Sequence, residues 1–375
     1  MSSYLEPERQ HHAQSIACFT TSHGFGHATR TVAVLQALAK ISPGLTVHVF
    51  STLPDWFWKD NLSPNVRFLV HQIETDIGLV QKSPFEHDLE QTIDQLEQFL
   101  SFDEEALIET RKRVRELDPD LILCDISPLG LVLGEEMDIP TVLIENFTWD
   151  WIYEAYLGED QRLKPLIAKL KAIFNSATLR IQTNPLCDRI KSTPLVPPIF
   201  REFRDSPSTT LQKLGFSPAS RFLLVTTGGI PQDFAFLDKL SLRKDLSFVI
   251  AGNFHRVEKT GNLTFLPYHS DFHFPDLVHA SSGVVGKLGY GTVAEAWGAQ
   301  TPLLGVYRQN FRESIPLQSF VRENIPNLES TQQDFLAGKW IKDLDEFLAL
   351  EKKSCIKNET SGALETVDLI KAITS

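Results

Sequence analysis

Two stretches, one near each end of the chain, repeat a single local plan. The first runs Ser15-Ile16-Ala17-Cys18-Phe19-Thr20-Thr21, then Ser22-His23-Gly24-Phe25-Gly26-His27, then apolar positions at Val32, Leu35, Leu38 and Ala39. The second runs Ser282-Gly283-Val284-Val285, then Gly286-Lys287-Leu288-Gly289-Tyr290-Gly291-Thr292-Val293-Ala294-Glu295, and on to Leu303-Leu304-Gly305-Val306. An apolar run, a glycine loop, a helical pattern and another apolar run read as strand, loop, helix, strand. Units of this length imply parallel sheets joined by right-handed crossovers. Ligands of such sheets sit at the carboxyl ends of the strands.

The plan recurs often enough to set the architecture. Residues 45–51, 121–125 and 141–145 read as further strands of a first half, and residues 221–227, 246–250 and 263–266 as strands of a second. A chain of 375 residues exceeds what one core usually serves. Ser192-Thr193-Pro194-Leu195-Val196-Pro197-Pro198 is a proline-rich, extended connector. The expectation is therefore α/β, with Rossmann-like parallel-sheet domains at 1–195 and 196–375 facing across a cleft, the last helix able to pack back on the first. Residues 86–117 read as helical, acidic and amphipathic.

Composition narrows the partners. The formal charge of −12 disfavours a nucleic-acid partner, which needs a basic surface. The basic knot Arg111-Lys112-Arg113-Val114-Arg115 sits among acids and reads as a solvated helix face. No run of about 18 apolar residues spans a bilayer, so no transmembrane segment is expected. Residues 1–14 lack the apolar core of a secretory leader. Four cysteines without metal spacing suit a reducing cytoplasm, and no metal or cofactor is expected.

The second glycine loop points to an anion. Gly286, Gly289 and Gly291 let backbone N–H groups approach a ligand, the helix start adds a positive dipole end, and Lys287 adds a cation. A diphosphate is the simplest guest. The competing structural reading is a capping box, with Thr292 and Glu295 satisfying the helix's own N–H groups. In the first loop, Gly24-Phe25-Gly26 lacks the third glycine of a dinucleotide fingerprint, and no acid ends the second strand, which disfavours a nicotinamide dehydrogenase.

His27 stands where the first helix begins, where the dipole favours a neutral imidazole able to accept a proton. His23 is the other candidate base, and His27 is preferred. Asp125, at a strand's carboxyl end, is placed to orient an imidazole; its structural alternative is to cap the helix after Ser127-Pro128. Asp118-Pro119-Asp120 and Asp343-Leu344-Asp345 match the Asp-x-Asp of metal-dependent sugar transfer, but the first precedes its strand, on the wrong sheet edge, and both are set aside. Asn146-Phe147-Thr148-Trp149-Asp150-Trp151 suggests an aromatic acceptor pocket through Trp149 and Trp151, or core packing. Leu53-Pro54-Asp55-Trp56-Phe57-Trp58 raises the same choice, with peripheral membrane contact as a third.

Together these residues resemble GT-B glycosyltransferases, which use nucleotide-sugar donors without a catalytic metal. Gly26-His27 is similar to the Gly-His that supplies the base in family 1 UDP-sugar enzymes, and Asp125 to its acidic partner. Lys287 to Glu295 resembles that family's late His-x-Gly-x-x-(Ser/Thr)-x-x-Glu motif, with lysine in place of histidine. The resemblance implies that Gly289 and Thr292 hold phosphate, that Glu295 holds the ribose, and that Arg308, Gln309 and Asn310 lie near the donor sugar. Gly24-Phe25-Gly26-His27-Ala28-Thr29-Arg30, Phe147-Thr148-Trp149-Asp150 and Gly286 to Val293 look more closely like the glycosyltransferase-like N-terminal half of L-arabinokinases, whose kinase half is absent here. Gly-x-Gly-His-x-x-Arg also resembles the UDP-sugar hydrolase of pseudaminic acid synthesis.

The function these features imply is a metal-independent, inverting glycosyltransferase, moving a hexose or pentose from a UDP-type donor to a hydroxyl of a small-molecule, glycan or lipid acceptor. His27 and Asp125 are the expected catalytic pair. Lys287, Gly289, Tyr290, Gly291, Thr292, Glu295 and Arg308 are the expected donor site, with Gly228 and Gly229 allowing close backbone approach. His23, Gly24, Gly26, Trp149 and Trp151 are expected on the acceptor side. A nucleotide-sugar hydrolase and a non-catalytic nucleotide-sugar sensor are the alternatives.

Overall fold

The computed structural model describes residues 15–374 apart from 65, 83–85, 103–104, 228–233, 253 and 357–360. Gly228, Gly229 and the leaderless reading of residues 1–14 therefore lie outside the described residues.

Among the described residues, each half forms its own sheet of seven strands. In the first, the order across the sheet is Arg67–His71, Thr46–Phe50, Ser15–Thr20, Leu121–Asp125, Thr141–Glu145, Leu179–Thr183, Leu195–Val196, all parallel. The second runs Glu258–Thr260, Leu263–Pro267, Ser247–Gly252, Phe222–Thr226, Gly283–Lys287, Leu303–Val306, Asn327–Glu329, with Glu258–Thr260 antiparallel at one edge. The central strands are buried end to end and rich in Val, Ile, Leu and Phe, as strands covered by helices on both faces must be.

Strand order reverses between Ser15–Thr20 and Leu121–Asp125 in the first lobe, and between Phe222–Thr226 and Gly283–Lys287 in the second. Crevices open at such switch points. Gly286 marks the second one, with φ 145 and the Thr226 carbonyl oxygen 1.8 Å from where a Cβ would stand, so only glycine fits.

The first-lobe sheet ends at Val196, and the chain crosses to the second lobe over residues 197–205. The last helix, Gly362–Thr374, returns: Ala363, Val367 and Ile370 are buried in the first-lobe core beside Val32 and Leu35 of the helix Phe25–Ile41. The helical region 86–117 is two helices, Leu89–Phe99 and Glu105–Leu117, because Phe102 takes a left-handed conformation, φ 57, that no helix continues through.

Candidate active site

The two switch points face each other around a cavity of about 380 Å³, within the usual range for a small-molecule site. Its floor is where the two glycine loops meet. A Cβ on Gly291 would stand 2.9 Å from Thr29 Oγ1 and 3.0 Å from Gly26 Cα. The helices Phe25–Ile41 and Tyr290–Ala299 thus start against one another, and a side chain at Gly26 or Gly291 would crowd the other loop.

On the first lobe, Thr20 and Asp125 are paired neighbours at the ends of adjacent strands. His27 and Arg30, one helical turn apart, lie on one helix face and converge on that carboxylate. His27 Nδ1 is 2.9 Å from Asp125 Oδ1. A carboxylate only accepts, so the tautomer that makes this bond has its proton on Nδ1, to which Arg30 Nη2 also comes within 3.1 Å; Nε2 is then the ring nitrogen left for the cavity that His27 lines. Arg30 donates from Nε to Asp125 Oδ2 at 2.7 Å and from Nη2 to Oδ1 at 2.6 Å, a bidentate pair with the arginine fully buried. Burial alone would raise the Asp125 carboxyl, but Arg30 and His27 outweigh it and hold it below the ordinary carboxylate range.

The chain of contacts continues across the lobes. Arg30 Nη1 donates to Asn146 Oδ1 at 2.8 Å, and Asn146 Nδ2 donates to Glu313 Oε1 at 3.0 Å. Asp125 does not cap the following helix; Ser127 holds that position, and the carboxylate is spent on His27 and Arg30.

His23 is engaged differently. Its Nε2 accepts the Gly78 N–H at 2.5 Å, so that nitrogen has no lone pair to offer a substrate. Burial, then the charges of His27 and Arg308, lower its pKa to about 4. Its ring meets Trp149 edge-on at 5.3 Å. Trp149 lines the cavity and donates its indole N–H to Asp76 Oδ2 at 2.5 Å, fixing the ring plane. Trp151 is not among the residues lining this cavity; its ring packs partly buried against the first-lobe core, with Arg312 over it at 4.0 Å. Trp56 and Phe57 turn into the cavity, while Trp58 is fully buried in the core.

On the second lobe the helix starts at Tyr290, with Gly289 as its extended N-cap and no side-chain cap. Thr292 therefore lies inside the helix, which removes the capping-box reading and leaves its hydroxyl on the cavity wall. Lys287 is nine-tenths buried, and its Nζ lies 3.6 Å from where a Cβ on Gly289 would stand. Among the described residues it makes no ion pair within 4 Å. Burial first, then Arg308, lower its pKa to about 7, with Glu313 acting the other way.

Tyr290 and Glu295 line the cavity but are also tied inward. The Tyr290 hydroxyl accepts the Ile199 N–H at 3.0 Å, sits 3.0 Å from Thr183 Oγ1, and its ring lies under Arg30 at 4.6 Å. Glu295 Oε1 pairs with Arg201 of the crossing segment at 2.6 Å, and Arg201 also donates to Asn61 of the first lobe. Burial nevertheless pushes the Glu295 carboxyl up. Arg308 lies over the Phe311 ring at 3.6 Å. Asp120 accepts the Ser15 N–H and Asp345 pairs with Arg243, so both Asp-x-Asp runs serve the fold away from the cavity.

Arg201, Glu313 and Tyr268 line the cavity without having been expected there. Arg30 carried a signal in its three-residue spacing from His27; Glu313 carried none, since its partner Asn146 is 167 residues away.

Comparison with known proteins agrees with this fold. The model of the family described as glycosyl transferase family 1 matches residues 17–322. L-arabinokinase of Arabidopsis thaliana is 26% identical over 356 residues, covering 92% of this chain and 33% of that protein. This chain thus spans about a third of that relative's length. Among solved structures, an Arabidopsis thaliana enzyme, UGT89C1, complexed with UDP-L-rhamnose superposes with a TM-score of 0.61 at 13% identity, over 96% of this chain and 99% of that one. A UDP-glucosyltransferase from Polygonum tinctorium gives a TM-score of 0.61 at 12% identity, over 96% and 98%. SnogD, a glycosyltransferase from Streptomyces nogalater, gives 0.55 at 14%, over 96% and 100%. The fold is the GT-B fold of these enzymes, and the chain belongs to glycosyl transferase family 1.

Proposed function

We propose that this chain transfers a sugar from a nucleotide-diphosphate donor, UDP-linked as in two of the structural neighbours, to a hydroxyl acceptor, with inversion at the anomeric carbon and without a metal. The observation that carries the reading is one cavity in which the His27–Asp125 pair of the first lobe faces the Lys287 glycine loop of the second. His27 Nε2 takes the acceptor's hydroxyl proton as that oxygen bonds to the anomeric carbon. The bond from that carbon to the diphosphate oxygen breaks, and its electron pair leaves with the diphosphate. Displacement from the opposite face inverts the centre. Lys287, Thr292 and the first N–H groups of the helix Tyr290–Ala299 stabilise the growing negative charge. Glu295, Arg201 and Tyr290 fix the wall beside the ribose. Asp125 orients His27, and Arg30 keeps Asp125 ionised.

Replacing His27 by alanine is expected to cut turnover roughly 10²–10⁴-fold, the usual worth of a general base, while UDP binding by calorimetry persists. Unchanged turnover defeats the base assignment.

A hydrolase reading draws on the convergence of His27 and Arg30, both from the Gly-x-Gly-His-x-x-Arg run, on Asp125. There His27 activates water instead. Free sugar released from the donor with no acceptor present, and undiminished when acceptors are added, selects that reading. We further place the protein in the reducing cytoplasm, consistent with four free cysteines; among the described residues no helix is long and apolar enough to cross a membrane.

A further inference from the structure

Most of the charged groups around the cavity already have partners. Arg201 is paired with Glu295, Arg204 donates to the carbonyls of Asp60 and Asn61, and His269 meets Asp60 at 3.2 Å. Two cations remain without a hydrogen bond or ion pair among the described residues, Lys287 and Arg308. Lys287 stands at the glycine loop, beside Gly289. Arg308 lines the same cavity and is near enough for its charge to act on Lys287. Its charge also acts on His23, His87 and Tyr156 of the first lobe, so it stands between the glycine loop and that lobe's wall.

The loop that carries Arg308 is fastened there. The Tyr156 hydroxyl donates to the Asn310 carbonyl at 2.5 Å, and Arg312 pairs with Glu154 at 2.8 Å. Phe311 covers one face of the guanidinium at 3.6 Å. That stack leaves the in-plane N–H groups free, in the fork that matches a planar carboxylate edge-on. Glu313 is the nearby acid, and Asn146 already holds one of its oxygens. Against a neutral sugar the partly buried guanidinium would keep N–H groups with no charged acceptor among the described residues, which is costly.

Building on the transferase reading, we propose that Arg308 recognises a carboxylate carried by the reacting pair, on the transferred sugar (a uronic-acid donor) or on the acceptor, so that one of this enzyme's substrates is a carboxylic acid.

The test uses the whole chain and calorimetry. In the donor arm, UDP, UDP-glucose and UDP-glucuronic acid are titrated. In the acceptor arm, the UDP-loaded protein is titrated with 4-hydroxybenzoate and with 4-hydroxybenzyl alcohol. The expected result is a preference of about tenfold for the carboxylated member in one arm, the order of one charge-assisted hydrogen bond, and loss of that preference in R308Q. The arm in which it appears says which substrate carries the acid. Equal affinities in both arms for the unmodified protein overturn the proposal without recourse to a variant. So does R308Q weakening UDP itself as much as the carboxylated ligand, which makes Arg308 a phosphate ligand. If UDP and both sugar nucleotides fail to bind at all, the donor reading beneath falls first and takes this inference with it.

Discussion

Lys287 shows how much one side chain can set the conditions of binding. Its ammonium is stripped of water by burial and pressed by Arg308, which brings its pKa down from 10.5 to about 7. A diphosphate binds the charged form, so the ligand-free protein loses its cation as pH rises through neutrality. Calorimetry from about pH 6 to pH 8.5 is expected to show UDP affinity falling toward a tenfold loss per unit above the pKa, with K287M weaker throughout and nearly flat. The linkage sign for stability is opposite. Between about 7 and 10.5 the unfolded chain holds a proton on this lysine that the folded chain has released, so this group makes stability rise with pH there. At this scale the sequence was readable where function follows position on a strand or helix. His27 and Asp125 stand at helix start and strand end, and those places predict their meeting. Aromatic density after a strand says nothing about which side of the next helix each ring takes: Trp149 lines the cavity and Trp151 packs beside it against the core.

The glycine loops are legible as elements for a plain reason: a strand-to-helix turn with several glycines is a local pattern, and local patterns survive in a linear reading. Their contact with each other is not local. Gly291 and Gly26 touch across the lobes, and a methyl on Gly291 would collide with Thr29 Oγ1 and the Gly26 backbone. G291A is therefore expected to lower stability by about 1–3 kcal/mol, the cost of overpacking, and to weaken UDP binding by displacing the helix start. G158A, in open space, should stay within about 0.5 kcal/mol of the parent by denaturant unfolding. Comparable losses in the two variants remove the contact from the explanation. The helix break at Phe102 escaped notice because a left-handed phenylalanine leaves no glycine or proline to announce it. The capping-box reading failed by a shift of register, since Gly289 in extended conformation starts the helix at Tyr290.

Across the whole molecule, the lobes are joined by buried charge. Arg201 links Glu295 of the second lobe to Asn61 of the first, partners 94 and 140 residues from it in sequence. Such pairing leaves no trace in composition or spacing, and this is why the donor-side glutamate read as a free ligand. Removing the arginine strands a buried carboxylate. R201M is expected to destabilise by about 3–5 kcal/mol in urea unfolding, with much of the loss recovered when Glu295 is also made glutamine. Full stability in R201M alone would show the pair to be dispensable. The returning helix Gly362–Thr374 has a further consequence for dissection. Because Val367 and Ile370 seal the same apolar face as Val32 and Leu35, a fragment ending at the crossing segment would bare that face to water. A workable excision of the first lobe has to splice the terminal helix back onto residue 196, and the excised second lobe then ends near residue 350.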